Sequence, residues 1–195
     1  MIAGHFGFAA IVKAREPQVP LWSLMLATVW LDIVFVPLYL AGIETIVLVD
    51  GARGSYGTGI IYADYTHSLL GALLLSALFG LAFAKRWGRR SALVIGFVSF
   101  SHWLLDLLVH RADMPFLPHN FGSLPRLGLG LWRHPEWVMV MEAALVVLGA
   151  LLYTRAARKV ATAAGKGLTL ATLTGSLIGV GGITVLILDV TGALG

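Results

Sequence analysis

The sequence predicts an all-α fold: a polytopic membrane helical bundle of about five transmembrane helices, preceded by a short N-terminal re-entrant or interfacial helix. Residues 1–195 are expected to form a single integral membrane domain. Three observations predict this. Of the 195 residues 58% are hydrophobic and only 12% charged, about half the charged share of ordinary globular domains. The mean hydropathy is +0.86. Apolar stretches long enough to cross a bilayer recur along the chain, separated by short basic clusters.

The elements follow in order. The opening run "GHFGFAAIV" is too short to span and too apolar for water, and Lys13 and Arg15 close it with charge. It is expected to dip into the bundle, with His5 about 12 Å from the inner surface. No basic segment precedes the apolar run, so a cleaved signal peptide is not expected. The spans cover residues 21–41, 66–84, 91–110, 137–153 and 168–190, the fourth short and steep. "KRWGRR" at 85–90 reads as a tight basic turn, and "RAARKVATAAGKG" at 155–167 as a basic connection, whereas residues 42–65 and 111–136 are longer loops. In the fifth span Gly175 and Gly179 stand at GxxxG spacing, a packing face within the chain or toward a partner subunit.

Positive charge then sets an orientation. Lys13 and Arg15, Lys85 to Arg90, and Arg155 to Lys166 fall on one side if the chain enters from the cytoplasm. The N-terminus is thus expected to be cytoplasmic and the C-terminus outside. The 14 Lys and Arg residues that give the net charge of +4 are read as this topology signal, and no nucleic-acid partner is expected. There is no cysteine, which excludes a disulfide framework, a thiolate metal site and a Cys nucleophile.

Ionisable groups at membrane depth are costly and mark functional sites. "SFSHWLLDLLVH" places His102, Asp106 and His110 at successive i, i+4 positions. On an outward-running helix Asp106 lies about 6 Å and His102 about 12 Å below the outer surface. His110, with His119 and His134, is expected at or beyond that surface as a solvated or loop histidine. His67, Asp32 and a re-entrant His5 can reach the same level. Imidazole and carboxylate without thiolate suit Zn²⁺, Mn²⁺ or Fe²⁺, and two ligands one turn apart point to the same side. The competing reading is a His–Asp pair that only hydrogen-bonds across a packed interface. Asp64 is a ligand, a general base or a helix cap, with Thr66 competing to cap. Glu142 pairs with Arg126 or Arg133 or bonds within the bundle, and Asp189 is structural.

Gly4-His5, Asp32, Thr66-His67-Ser68 and Ser101-His102 through Asp106 resemble the bacterial YdjM-like family of predicted membrane-bound metal-dependent hydrolases, over about residues 1–115. The order His, Asp, His, then His-x3-Asp is more loosely similar to zinc-dependent phospholipases C. Here the first Asp stands in "VWLDIVF", without a Pro-Asp or a further acid, and "YADYTHS" lacks the HRG that often precedes THS. A single ion is therefore expected. The resemblance implies a bacterial cytoplasmic (inner) membrane and hydrolysis of a phosphoester or lipid substrate. His5, Asp32, His67, His102 and Asp106 would hold a divalent metal, zinc first, and Asp64 or Asp106 would serve in catalysis. The alternatives are a non-enzymatic scaffold subunit of a larger membrane complex and a small transporter with Asp32 and Asp106 as carriers.

Overall fold

A computed structural model describes residues 1–48 and 59–193. The middle of the expected 42–65 connection and the last two residues of the expected outer C-terminus lie outside these described residues. The chain forms α1 (Ile2–Arg15), α2 (Leu21–Ala27), α3 (Trp30–Leu40), β1 (Thr45–Leu48), β2 (Gly59–Tyr62), α4 (Leu69–Ala82), α5 (Ala84–Val109), α6 (Pro135–Ala163) and α7 (Thr169–Val190). The fold is helical as expected, with one small antiparallel hairpin in which Thr45 pairs with Tyr62 and Leu48 with Gly59.

Of the about five expected spans, three or four are found among the described residues. Helices α5, α6 and α7 are long and apolar enough to cross a membrane, and α2 with α3 would make a fourth across a 44° bend. The second expected span shortens to α4, whose 14 residues fall short of a bilayer. Its first three positions are withheld from the helix because the Glu44 carboxylate takes the backbone N–H groups of Tyr65 and Thr66. Ser68 then caps α4, accepting from the Gly71 N–H and donating to the Tyr65 carbonyl, so neither Asp64 nor Thr66 is the cap. The bend between α2 and α3 has a cause of the kind that breaks helices, a side chain inserted into the ladder. The Thr28 carbonyl turns out of the helix to accept from His102 Nδ1 at 2.8 Å.

One other boundary differs. The fourth span is not short: α6 runs for 29 residues and carries the basic segment to Ala163 in helix. The turn at "KRWGRR" is real, since Gly88 sits at φ 78 in the left-handed region that favours glycine.

Small residues let the helices touch backbone to backbone. A Cβ on Gly7 of α1 would stand 2.5 Å from the Leu145 carbonyl carbon of α6, and one on Gly80 of α4 would meet the Ala92 oxygen of α5 at 2.5 Å. The Gly175 and Gly179 face packs internally against Thr154 and Ala150 of α6. These crossings hold α1 in the interior, where Ala3, Ala9 and Ala10 are buried.

One end of the bundle gathers the basic residues. Arg90 forks onto Glu16 through bonds of 3.0 and 2.9 Å, joining the start of α5 to the end of α1. The same fork holds the Glu16 carboxyl below its ordinary range. Lys13 donates to the carbonyls of Pro17 and Val19, closing the turn into α2. Lys13 and Lys166 line one cavity of about 450 Å³, so the basic stretches around positions 13, 90 and 166 share that end.

The α1–α6 crossing predicts a stability effect. Gly7→Ala forces the two backbones apart and is expected to cost about 1–3 kcal/mol, read as a lower unfolding midpoint in detergent. Gly181→Ala in α7, where nothing lies within 4 Å, is the control and should leave the midpoint unchanged.

Candidate metal centre

The last turns of α5 carry His102, Asp106 and His110 on one face, since positions four apart lie one above the other. All three are buried. Three other segments bring partners to this face: α1 supplies His5, the start of α3 supplies Asp32, and the turn before α4 supplies His67. The outcome is a carboxylate enclosed by imidazoles. Asp106 Oδ1 lies 3.1 Å from His5 Nε2, and Oδ2 lies 3.0 Å from His102 Nε2. Oδ2 is also 3.8 Å from the Nε2 of His67 and of His110. Asp32 Oδ1 stands 3.6 Å from His67 Nε2 and 3.5 Å from His102 Nε2.

Two overlapping sets, His5–His102–Asp106 and Asp32–His67–His102, are close enough to hold a metal ion. Nitrogen and oxygen ligands on one tetrahedral ion, bonded at about 2.0–2.2 Å, sit about 3.3 Å from one another. The contacts of 3.0, 3.1, 3.5 and 3.6 Å bracket that spacing. Because His102 presents a single nitrogen inward, the two sets describe one centre.

A second layer fixes how the imidazoles face. His102 Nδ1 meets the Thr28 carbonyl, which can only accept, so this nitrogen carries the proton. The Thr66 hydroxyl donates to the Glu44 carboxylate at 2.9 Å, so its oxygen accepts from His67 Nδ1 at 2.9 Å. His110 Nδ1 donates to Asp113 Oδ1 at 3.0 Å, while Asp113 Oδ2 accepts the Ile61 N–H at 3.0 Å. Outward Nδ1–H groups of this kind are what metal-binding histidines show. His5 is held differently. Its ring stacks on His102 with centroids 4.0 Å apart, and its carbonyl accepts from Thr28 Oγ1.

The convergence gives a chemical constraint. His67 Nε2 and His102 Nε2 face each other at 3.2 Å, and in both rings the proton of the neutral form sits on the outward nitrogen. Two lone pairs and two carboxylates then point into one space, which calls for a cation or for added protons. The expected set His5, Asp32, His67, His102 and Asp106 is thus brought together.

Other expected positions fall elsewhere. Asp64 is outside both sets and is held by Arg126, with contacts of 2.6 and 3.0 Å. Glu142 is buried in α6 and accepts the Gly4 N–H at 2.8 Å, holding the start of α1 beside the site. His134 is exposed near Glu136, and His119 stacks on Tyr65. Asp189 lies in the last turn of α7. His110 corrects the expectation of a solvated histidine: it is 3% exposed and covered by Trp132 at 4.3 Å between ring centroids. The i, i+4 repeat through 102, 106 and 110 carried that signal. Glu44, Thr28 and Asp113 carried none, because each works from a connection or a helix break. Comparison with protein-family models, curated proteins and solved structures returns no match.

Glu44 sets a testable load. Glu44→Ala leaves the buried Thr66 N–H and the half-buried Tyr65 N–H without their acceptor and is expected to lower unfolding free energy by about 1–3 kcal/mol per lost partner. Denaturant titration in mild detergent measures it, with faster amide exchange at Tyr65 and Thr66 as the local signature.

Proposed function

We propose that the chain is an integral membrane metalloprotein whose His/Asp centre holds a divalent cation and that it is a metal-dependent hydrolase. The observation that carries this reading is the inward convergence of His67 and His102 Nε2 at 3.2 Å beside two carboxylates, with both Nδ1–H groups committed outward. The resemblance to the YdjM-like hydrolases through Gly4-His5, Asp32, Thr66-His67-Ser68 and Ser101-His102 to Asp106 supports the reaction class. His5, Asp32, His67, His102 and Asp106 are the ligand set; imidazole and carboxylate without thiolate suit Zn²⁺, Mn²⁺ or Fe²⁺, and the similarity to zinc-dependent phospholipases C puts zinc first. When bound, such an ion lowers the pKa of water and polarises a phosphoryl or carbonyl oxygen.

The chain's own groups divide the remaining work. Asp106 is walled in by four imidazoles, a ligand's position. The side chain of Asp32 is 41% exposed, against 7% or less for the imidazoles paired with it, so Asp32 forms the mouth of the centre. There its carboxylate is placed to take a proton from the attacking water. Asp64, the other carboxylate considered for that task, is occupied by Arg126 and anchors the loop. Asp32 shares its helical face with Val36, Tyr39 and Leu40, all exposed and apolar apart from the tyrosine hydroxyl. An ester or phosphoester carried on a lipid fits this opening, its tail on the face of α3 and its head at Asp32.

The basic end is assigned to the cytoplasm by the positive-inside rule, which sets the centre in the outer half of a bacterial inner membrane. His5 stands ten residues above Arg15 on α1, about 15 Å along the axis, which is the middle of a hydrocarbon core about 30 Å thick, so His5 is the inner edge of the centre on this reading.

Metal analysis tests the centre. The purified protein is expected to carry stoichiometric metal that His102→Ala loses, and chelation should lower its unfolding midpoint until metal is restored. Metal-free protein with a midpoint indifferent to chelators would overturn the reading. Orientation has its own check, since the chain holds no cysteine. In intact cells an impermeant maleimide is expected to label Leu129→Cys and leave Arg158→Cys unlabelled; the reverse pattern inverts the topology.

A further inference from the structure

His110 and Asp113 lie outside both metal-capable sets, yet they are built like the members of those sets. His110 is 3% and Asp113 2% exposed. Asp113 is fixed from two directions, by His110 Nδ1–H on one oxygen and by the Ile61 N–H of β2 on the other. Its carbonyl accepts from Arg126 at 2.8 Å, tying the dyad to the Asp64–Arg126 pair. So restrained, the imidazole can aim Nε2 only inward, 3.8 Å from Asp106 Oδ2, the same separation that His67 keeps from that oxygen. The ring lies near-parallel to that of His67, at 22° with centroids 6.3 Å apart, and Trp132 closes its other side. Asp113–His110 reproduces the carboxylate–histidine arrangement that orients a ligand and raises its basicity.

His110 does not fit the ion shared by the other histidines, because no set of three that includes it is close enough. His102 cannot serve two ions, because its second nitrogen is spent on the Thr28 carbonyl. Asp106 has the freedom that His102 lacks: Oδ1 faces His5 and Oδ2 faces both His102 and His110.

We propose that the centre is dinuclear, with a second divalent cation held between Asp106, acting as a bridging carboxylate, and His110, oriented by Asp113. This rests on the reading of the first ion given above and departs from the single ion that the sequence implies. The second ion has only two protein ligands, so its remaining positions are open to water and to the oxygens of a phosphoester, as the paired-ion arrangement for such substrates requires.

The test uses the full chain in detergent, stripped of metal and dialysed against Mn²⁺, with ion content and electron paramagnetic resonance read together. Two ions per chain with an exchange-coupled spectrum are expected in the wild type. His110→Ala should hold one ion and give the single-ion spectrum. Asp113→Ala should weaken the second ion about 10–100-fold and leave the first, whose retention shows that the variant is folded. One ion in the wild type, or two retained in His110→Ala, overturns the proposal and leaves the first centre standing. No ion in the wild type overturns the first centre and this inference with it.

Discussion

The Asp106 carboxylate is the constraint on which the rest of the structure depends. It is buried on α5, and an ionised carboxylate away from water is expensive unless paired. The partners it draws are spread over the chain: His5 from α1, His102 from its own helix, and His67 and His110 from the segments at the two ends of the site. To deliver His5, α1 must run through the interior, which explains why its crossing with α6 is made at Gly7 and Gly149, backbone on backbone. To deliver His67, the chain makes a turn over residues 64–68 before the helix starts, so α4 begins late and falls short of a span. The topology bends around the centre.

Three of the four imidazoles around Asp106 are held by groups that the sequence does not advertise. Thr28 gives up a helical hydrogen bond so that its carbonyl can orient His102, and the break separates α2 from α3. Glu44 gathers two backbone N–H groups and the Thr66 hydroxyl, so the carboxylate is satisfied and the turn carrying His67 is rigid. Asp113 does the same for His110 through the hairpin. The connections beyond the helices therefore form the shell that aims the ligands, a role that a description of them as loops conceals.

This division explains what could be read from the sequence. Hydropathy and charge exposed the helical class and the basic end, because both signals are periodic or clustered. His5, Asp32, His67, His102 and Asp106 stood out because a titratable residue in an apolar run is conspicuous wherever the run ends up. The spans were harder, since their limits depend on bonds between distant residues: Glu44 to Thr66 shortens one, and Thr28 to His102 breaks another. His110 was legible from its spacing with Asp106, but a depth argument sent it to the surface. It failed because the segment after α5 folds back: Gly130 donates to the His110 carbonyl and Leu129 to that of Leu107, bringing Trp132 over the ring.

Charge balance constrains what can sit at the middle of the cluster. With one proton each, on the outward nitrogens, His67, His102 and His110 would present only lone pairs to the carboxylates of Asp32 and Asp106. A proton on His102 Nε2 would be taken up by Asp106 Oδ2 at 3.0 Å, and the 3.2 Å gap to His67 Nε2 has room for that one proton and no second. A divalent cation placed there would neutralise both carboxylates and meet the lone pairs together, offsetting the cost of burying them. The outer anchors then follow from the same logic. The outward bonds fix where each ring points, so the inward nitrogens of His67 and His102 stay aimed at Asp32 and Asp106 whether a proton or a cation lies between them.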